Sequence, residues 1–446
     1  MRIEIRAPWL RSSNGVPESS SASPGALLHN SLVAHPFLDR LDDGVVVFDG
    51  SMGVLLQGME LAEADFHWEG RLLDGCNEIL SLTRPDVIRS VHERYFAAGA
   101  DIVETNTFGA TSIVLAEYDV PHLVREITLA SAKIAREAAG PDRFVCGALG
   151  PGTKLVSLGQ TTFEEILATY EDGFVGLIEG GSDVLLLETL QDLLMVKAGI
   201  IAAERAMAAC GKKLPLMVQV TMEQTGTMLL GSEMGAALCM LEQYPSVTTV
   251  GMNCATGPAE MTPHVRFLGE NSTRPISVQP NAGLPVMEKG KAVYKVGPEE
   301  LAIAHERFVT EHGVALVGGC CGTTPDHIRA IADRLRGRPH SAGYWREVRS
   351  LYPGFDFAER PGRGGGKKLV GATSLFSFQP YEQDNSFLIV GEKTNANGSK
   401  AFREGLAAEN WEALTEIARE EAESSHVLDV CAAYVGRDEG RDMEEL

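Results

Sequence analysis

Eight short apolar runs between residues 45 and 322, separated by amphipathic stretches, restrict this chain more than any other feature. They are VVVFDG (45–50), DIVETNTF (101–108), FVCGALGP (144–151), DVLLLETL (183–190), LMVQVT (216–221), TVGMNC (249–254), ISVQPNAG (276–283) and VALVGGCCG (314–322). Each is continuously apolar rather than alternating, the pattern of strands covered on both faces. The stretches between them read as helices. PDVIRSVHERYFAAGA (85–100) opens on Pro85 and puts Val87, Ile88, Val91, Tyr95 and Phe96 on one face. FEEILATYEDGFVGLIEGG (163–181) stops at Gly180 and Gly181, and TPDHIRAIADRLRG (324–337) runs from a Thr cap to a Gly. Pro near a helix start and Gly past its end are the expected punctuation. Eight strands alternating with helices predict an α/β fold, a (β/α)8 TIM barrel, over residues 43–338. The competing architecture is a doubly wound open sheet. It usually has fewer strands and a Gly-rich phosphate turn after the first, and none follows VVVFDG.

The remaining segments differ in texture. Residues 1–42, beginning MRIEIRAPWLRSSNGVPESSSASPG, are rich in Ser, Pro and Gly and lack an apolar signal-peptide core. They are expected to be a disordered extension without a secretory signal. Residues 339–385 include RPGRGGGKKLVGATSLFSFQP (360–380) and read as a linker. SFLIVGE (386–392), a helix near 409–424 and HVLDVCA (426–432) then form an incomplete second βα segment, 386–446, far too short to close another barrel.

The formal net charge is −22 and no basic cluster is present, which argues against nucleic acid and anionic membrane surfaces as partners. No apolar run approaches the roughly 20 residues that span a membrane. The eight cysteines lack the spacing of a disulfide framework, so a reducing cytoplasm is the expected setting.

In a barrel, chemistry sits at the C-terminal ends of the strands. Here those ends carry Asp49 and Gly50, then Glu104, Thr105 and Asn106, then Glu188, then Asn253 and Cys254, then Asn281, and last Cys320 and Cys321. Neighbouring cysteines rarely bridge each other, because the ring they would close is strained. Three thiolates converging on one rim instead make a zinc constellation: soft sulfur suits the ion, and three protein ligands leave a fourth position open for catalysis. Cys76, Cys146, Cys210 and Cys239 are expected to be ordinary core residues. Gly318, Gly319 and Gly322 relieve the crowding around the doubled ligand.

The motifs FDGSMG (48–53), ETNTFGA (104–110), GMNCATGP (251–258), QPNAG (279–283) and GGCCGTTPDHI (318–328) together resemble the homocysteine S-methyltransferases, and within them the cobalamin-dependent methionine synthases. The resemblance covers about 43–338. It implies that Cys254, Cys320 and Cys321 bind Zn2+, that the homocysteine thiol takes the fourth position, and that Asn281 holds that position when the substrate is absent. The zinc-held thiolate would then attack a methyl group to give methionine. A free thiol titrates near 8–9, so the metal replaces a general base. Asp49 and Glu188 are the candidates for the substrate ammonium, the backbone of Gly50, Ser51, Met52 and Gly53 for its carboxylate, and Thr105 and Asn106 for further contacts.

VGEKTNANGSKAFREGL (390–406) resembles the opening of the pterin/folate-binding barrel of the same cobalamin-dependent branch. Glu392, Asn395 and Asn397 fall on its motif positions, and Asp429 ends the next strand. The resemblance therefore implies an N-terminal part of such an enzyme, with methylcobalamin and the methyl donor supplied through domains that this chain lacks. DFHWEG (65–70) imitates a cobalamin-binding Asp-x-His-x-x-Gly, but no other element of such a domain follows it. Two alternatives stay open: a cobalamin-independent methyltransferase using a betaine or sulfonium donor, and a non-catalytic zinc- or thiol-binding protein.

Overall fold

Strands apolar on both faces need cover on both: curling the sheet into a ring covers one, and the intervening helices cover the other. The computed structural model describes residues 35–288, 291–340 and 369–446. Its central strands are Val46–Val47 (β1), Ile102–Glu104 (β2), Phe144–Leu149 (β3), Val184–Leu190 (β4), Leu216–Val220 (β5), Val247–Asn253 (β6), Ile276–Gln279 (β7) and Leu316–Val317 (β8). They run parallel in the order β1-β8-β7-β6-β5-β4-β3-β2. The last gap, between β1 and β2, is narrowed by Asp101. Its N–H donates to the Val47 carbonyl (2.7 Å), and its carboxylate accepts the Val47 N–H (3.0 Å).

One long helix follows each strand: Pro85–Ala97 (α1), Val124–Ala139 (α2), Phe163–Gly180 (α3), Leu193–Cys210 (α4), Met234–Leu241 (α5), Pro258–Asn271 (α6), Pro298–His312 (α7) and Pro325–Leu335 (α8). This is the (β/α)8 arrangement expected. Strand side chains divide by period two. In β4, Val184 and Leu186 join the inner cluster with Ile102, Cys146, Ala148 and Met217, while Leu185 and Leu187 pack under the helices. The interior is therefore filled by side chains, and the open mouth lies above them.

Residues 36–42, expected to belong to the extension, form part of a helix, Pro36–Asp43. Phe37 and Leu41 lie four residues apart on one face, are fully buried, and join the inner cluster, closing the bottom of the barrel. Residues 1–34 lie outside the described residues.

Within the stretch expected as a linker, 341–368 lie outside the described residues. Further on, Gly371–Thr373 and Phe378–Pro380 pair as an antiparallel hairpin. The hairpin is fastened to the loop entering α5: Glu233 N–H donates to the Phe376 carbonyl (2.7 Å) and Ser232 Oγ to the Leu375 carbonyl (2.6 Å). Gly235 permits the approach, since a Cβ there would lie 3.2 Å from Phe378 Cβ.

Residues 386–446 form the βαβ start read from the sequence. Val390–Gly391 pairs in parallel with Val427–Leu428, and helices Lys400–Ala407 and Trp411–Ala422 lie between. Its small core is Ala396, Phe402, Leu406, Leu414 and Ala432.

Candidate active site

The loops after β6, β7 and β8 interlock through their backbones. Cys254 N–H donates to the Gln279 carbonyl (3.2 Å), Asn281 N–H to Thr256 (3.1 Å), Cys320 N–H to Pro280 (2.9 Å) and Ala282 N–H to Cys321 (2.9 Å). These bonds hold a strained turn. Cys254 and Ala255 both adopt left-handed conformations, φ 62 and 57, which non-glycine residues avoid unless the surroundings impose them.

The result is a triangle of sulfurs. Cys254 Sγ lies 3.8 Å from Cys321 Sγ, and Cys320 Sγ 4.0 Å from Cys321 Sγ. All three fall within 4.8 Å of one another, the only such cluster of potential ligands among the described residues. Tetrahedral zinc with bonds of about 2.3 Å places its sulfurs about 3.8 Å apart, so the three fit the ion. Without an ion the thiols share charge among themselves. Cys321 drops to about 3, because Cys254 and Cys320 hydrogen-bond to it, helped by the Tyr294 hydroxyl. The Cys320 hydrogen bond pulls Cys254 down, but its bond to Cys321, burial and the Cys321 charge outweigh this and push it up to about 12. Cys320 is raised strongly by its bonds to the other two thiols.

The supports are specific. His305, fully buried on α7, donates from Nε2 to the Gly318 carbonyl (2.8 Å), since a carbonyl can only accept. Thr323 Oγ1 donates to the Cys320 carbonyl (2.6 Å) and accepts the Ser51 N–H (3.2 Å), tying β8 to β1. Asn281 Oδ1 accepts the Cys321 N–H (3.1 Å), so this amide braces the ligand turn. Gly322 sits at φ +81 under Tyr294, and a Cβ there would come 2.2 Å from the ring. Gly322→Ala is therefore expected to displace Tyr294 and the adjoining Cys321. Zinc affinity should fall at least ~10-fold in competition with a chromophoric chelator, the energy of a strained residue of this kind. Unchanged affinity would show that the turn tolerates the displacement.

Beside the sulfurs lies an acidic group. Asp49, from β1, accepts the Glu104 N–H on Oδ2 (3.1 Å), while its Oδ1 is buried without a partner. Glu188, on β4, accepts from Asn253 Nδ2 (3.2 Å). Asn253 also bonds Thr189 N–H and Oγ1, both at 2.8 Å, fixing the left-handed Thr189 (φ 58). Burial first, and then mutual repulsion with Glu104, raises both Asp49 and Glu188 well above the carboxylate range. Burial brings Glu104 to about 7 despite its bond from Gln279.

Sequence reading placed these carboxylates and the three cysteines on one rim, and the structure brings them together there. Thr105 and Asn106 reach the same rim, but their side chains turn elsewhere. Thr105 Oγ1 accepts the Ala148 N–H (3.1 Å), and Asn106 Nδ2 donates to the Asn77 carbonyl (2.8 Å) and Ser81 Oγ (3.2 Å). Ser51 caps the short helix Met52–Gln57, so the first-turn amides of Met52 and Gly53 have no partner within that helix. Gln219 and Gln279 were not anticipated. Gln219 Nε2 donates to Gln279 Oε1, and Gln279 Nε2 to Glu104 Oε1 (2.8 Å), in a chain across the interior. A lone amide inside each of two apolar runs was the available signal.

At the second segment, Asn395 Nδ2 donates to Asp429 Oδ2 (2.7 Å), and Asn397 N–H donates to Asn395 Oδ1 (2.8 Å). These three share one strand-end cluster, while Glu392 is exposed next to it.

The homocysteine S-methyltransferase family pattern matches residues 46–335. This chain belongs to that family. The match spans the barrel from β1 to the end of α8, with all three cysteines inside it. The chain is 44% identical over 425 residues to the methionine synthase of Mycobacterium leprae, covering 92% of this chain and 33% of that protein. It is 45% identical over 418 residues to that of Mycobacterium tuberculosis, with the same coverage. It thus spans about a third of the length of these methyltransferase relatives. Among solved structures, the metallated form of the Escherichia coli homocysteine methyltransferase MmuM superposes with a TM-score of 0.53 at 22% identity, covering 67% of this chain and 98% of that one. That likeness shows the family's barrel fold.

Proposed function

We propose that this barrel binds homocysteine and presents its sulfur to a methyl group, acting as the homocysteine module of a methionine synthase. One observation carries the reading: three cysteine sulfurs at tetrahedral spacing beside a buried acidic group. Cys254, Cys320 and Cys321 would hold zinc, with Asn281 at the fourth position when substrate is absent, and the ion would supply the Lewis acidity that lowers the pKa of the substrate thiol.

The chain's own residues do the rest. Asp49 and Glu188 attract the ammonium, and a cation there relieves their repulsion. First-turn amides at Met52 and Gly53 point their partial charge toward the carboxylate. Asn253 fixes Glu188 in place. The S–CH3 bond forms as the donor's bond to methyl breaks, and the thiol proton leaves to solvent. The donor reaches the sulfur through the mouth, whose rim exposes Phe108, Leu158, Leu229 and Met287 from four loops. Such an apolar rim suits a bulky carrier, and methylcobalamin held by a separate domain is the donor favoured by the 386–446 segment. In that segment Glu392, Asn395, Asn397 and Asp429 would contribute to a pterin site. No helix among the described residues is long and apolar enough to cross a membrane, and a cytoplasmic setting agrees with eight cysteines that lack the spacing of a disulfide framework.

The test is a donor panel with the zinc-loaded chain and homocysteine. Methionine should form from methylcobalamin and not from betaine or S-methylmethionine. Turnover with either of the latter would favour a self-sufficient methyltransferase instead.

A further inference from the structure

We infer that Glu104 accepts one N–H of the substrate ammonium and so makes the site select an α-amino thiol over a plain thiol; this rests on the homocysteine reading above. Glu104 closes β2, where Ile102, Val103, Thr105 and Asn106 around it are all buried. Glu104 alone in that stretch is only partly buried, and it stands at the C-terminal end of β2, the rim that carries the three cysteines. Its carboxylate is held at Oε1 by Gln279 Nε2 (2.8 Å). Gln279 is anchored in turn by Gln219 and packed against the Gly318 position, on the loop that carries Cys320. The group is therefore positioned against the metal turn rather than left to swing.

Its neighbours strengthen the case. Asp49 is 2% exposed, and its Oδ1 has no hydrogen-bond partner although its Oδ2 is fixed on the Glu104 N–H. Asp49, Glu104 and Glu188 repel one another, and the bonds described for them come from amides, not from Lys, Arg or His. Three buried or half-buried carboxylates without a cation are an unfavourable arrangement that a bound cation corrects. An ammonium offers three N–H donors in a tripod, and β1, β2 and β4 each present one carboxylate. With only two acceptors, one of its three N–H donors would be left unpaired in a buried site.

The experiment is calorimetric titration of the zinc-loaded full chain with homocysteine and with 4-mercaptobutyrate, which differs only in lacking the amine. Wild-type protein should prefer homocysteine. Glu104→Gln keeps the shape and a bond to Gln279, and should shrink that preference about 10-fold, the value of one charge-assisted hydrogen bond, while 4-mercaptobutyrate affinity stays within about twofold. Glu104→Asp should restore part of the preference. An undiminished preference in Glu104→Gln, or an equal loss for both thiols, would overturn the inference and leave Glu104 a structural residue. Failure of wild type to bind either thiol would instead overturn the homocysteine reading and this inference with it.

Discussion

Replacing Cys320 or Cys321 with Ala strips the protein of its zinc while the barrel stays folded. The purified chain is expected to carry about one zinc per molecule in sulfur-rich coordination. Loss of one of three thiolates removes a ligand for which two remaining sulfurs cannot compensate, and retention in the presence of a competing chelator should fall by at least ~1000-fold. The fold should survive because the sulfurs lie above the packed interior, on a rim held by backbone hydrogen bonds such as Ala282 N–H to the Cys321 carbonyl. Elemental analysis after chelator dialysis measures the first outcome, and circular dichroism the second. Full zinc occupancy in a Cys254/Cys320/Cys321 triple replacement would sink the assignment.

Homocysteine binding is expected to release about one proton more than methionine binding, because the thiol must ionise and a thioether cannot. Calorimetry in buffers of different ionisation enthalpy counts the difference. Below pH 6 homocysteine affinity should fall at least ~10-fold per pH unit, since removing the thiol proton takes ~1.4 kcal/mol more for each unit. The acidic group acts in the same direction. Glu104, raised by burial to about 7, takes up a proton as the pH falls, and its neutral form no longer attracts an ammonium. Homoserine should bind far more weakly, because a hydroxyl is much less acidic and oxygen matches a thiolate-rich zinc poorly. Equal proton counts for homocysteine and methionine, or equal affinity for homoserine, would mean that sulfur does not meet the metal.

The barrel was legible because its signal is local. DVLLLETL differs from the observed β4 by one residue at its start, and ISVQPNAG contains β7 followed by its rim loop. The cysteine triangle was legible for a related reason: strand ends of one parallel ring share an edge, so Cys254 and the Cys320–Cys321 pair had to meet. Side-chain direction was not. Thr105 and Asn106 occupy the right rim and serve neighbouring loops, a choice set by Ser81 and Ala148, which lie far away in sequence. Gln219 and Gln279 were hidden likewise, since their pairing depends on the β5–β6–β7 register. The helix Pro36–Asp43 escaped notice because only Phe37 and Leu41, with the partly buried Leu38, carry its packing, too few positions for a periodic signal.

The hairpin fastened beside α5 changes how the last segment is leashed. Counted from the end of α8, some fifty residues precede residue 386. With Leu375 and Phe376 clipped to Ser232 and Glu233, the connection from the anchored hairpin to the second segment runs only from Pro380 to Val390. Fully extended, that stretch reaches only about 35 Å. Whatever the second segment joins is thereby confined to a small volume beside one wall of the barrel, and its encounters with the mouth become a matter of effective concentration set by a short cord.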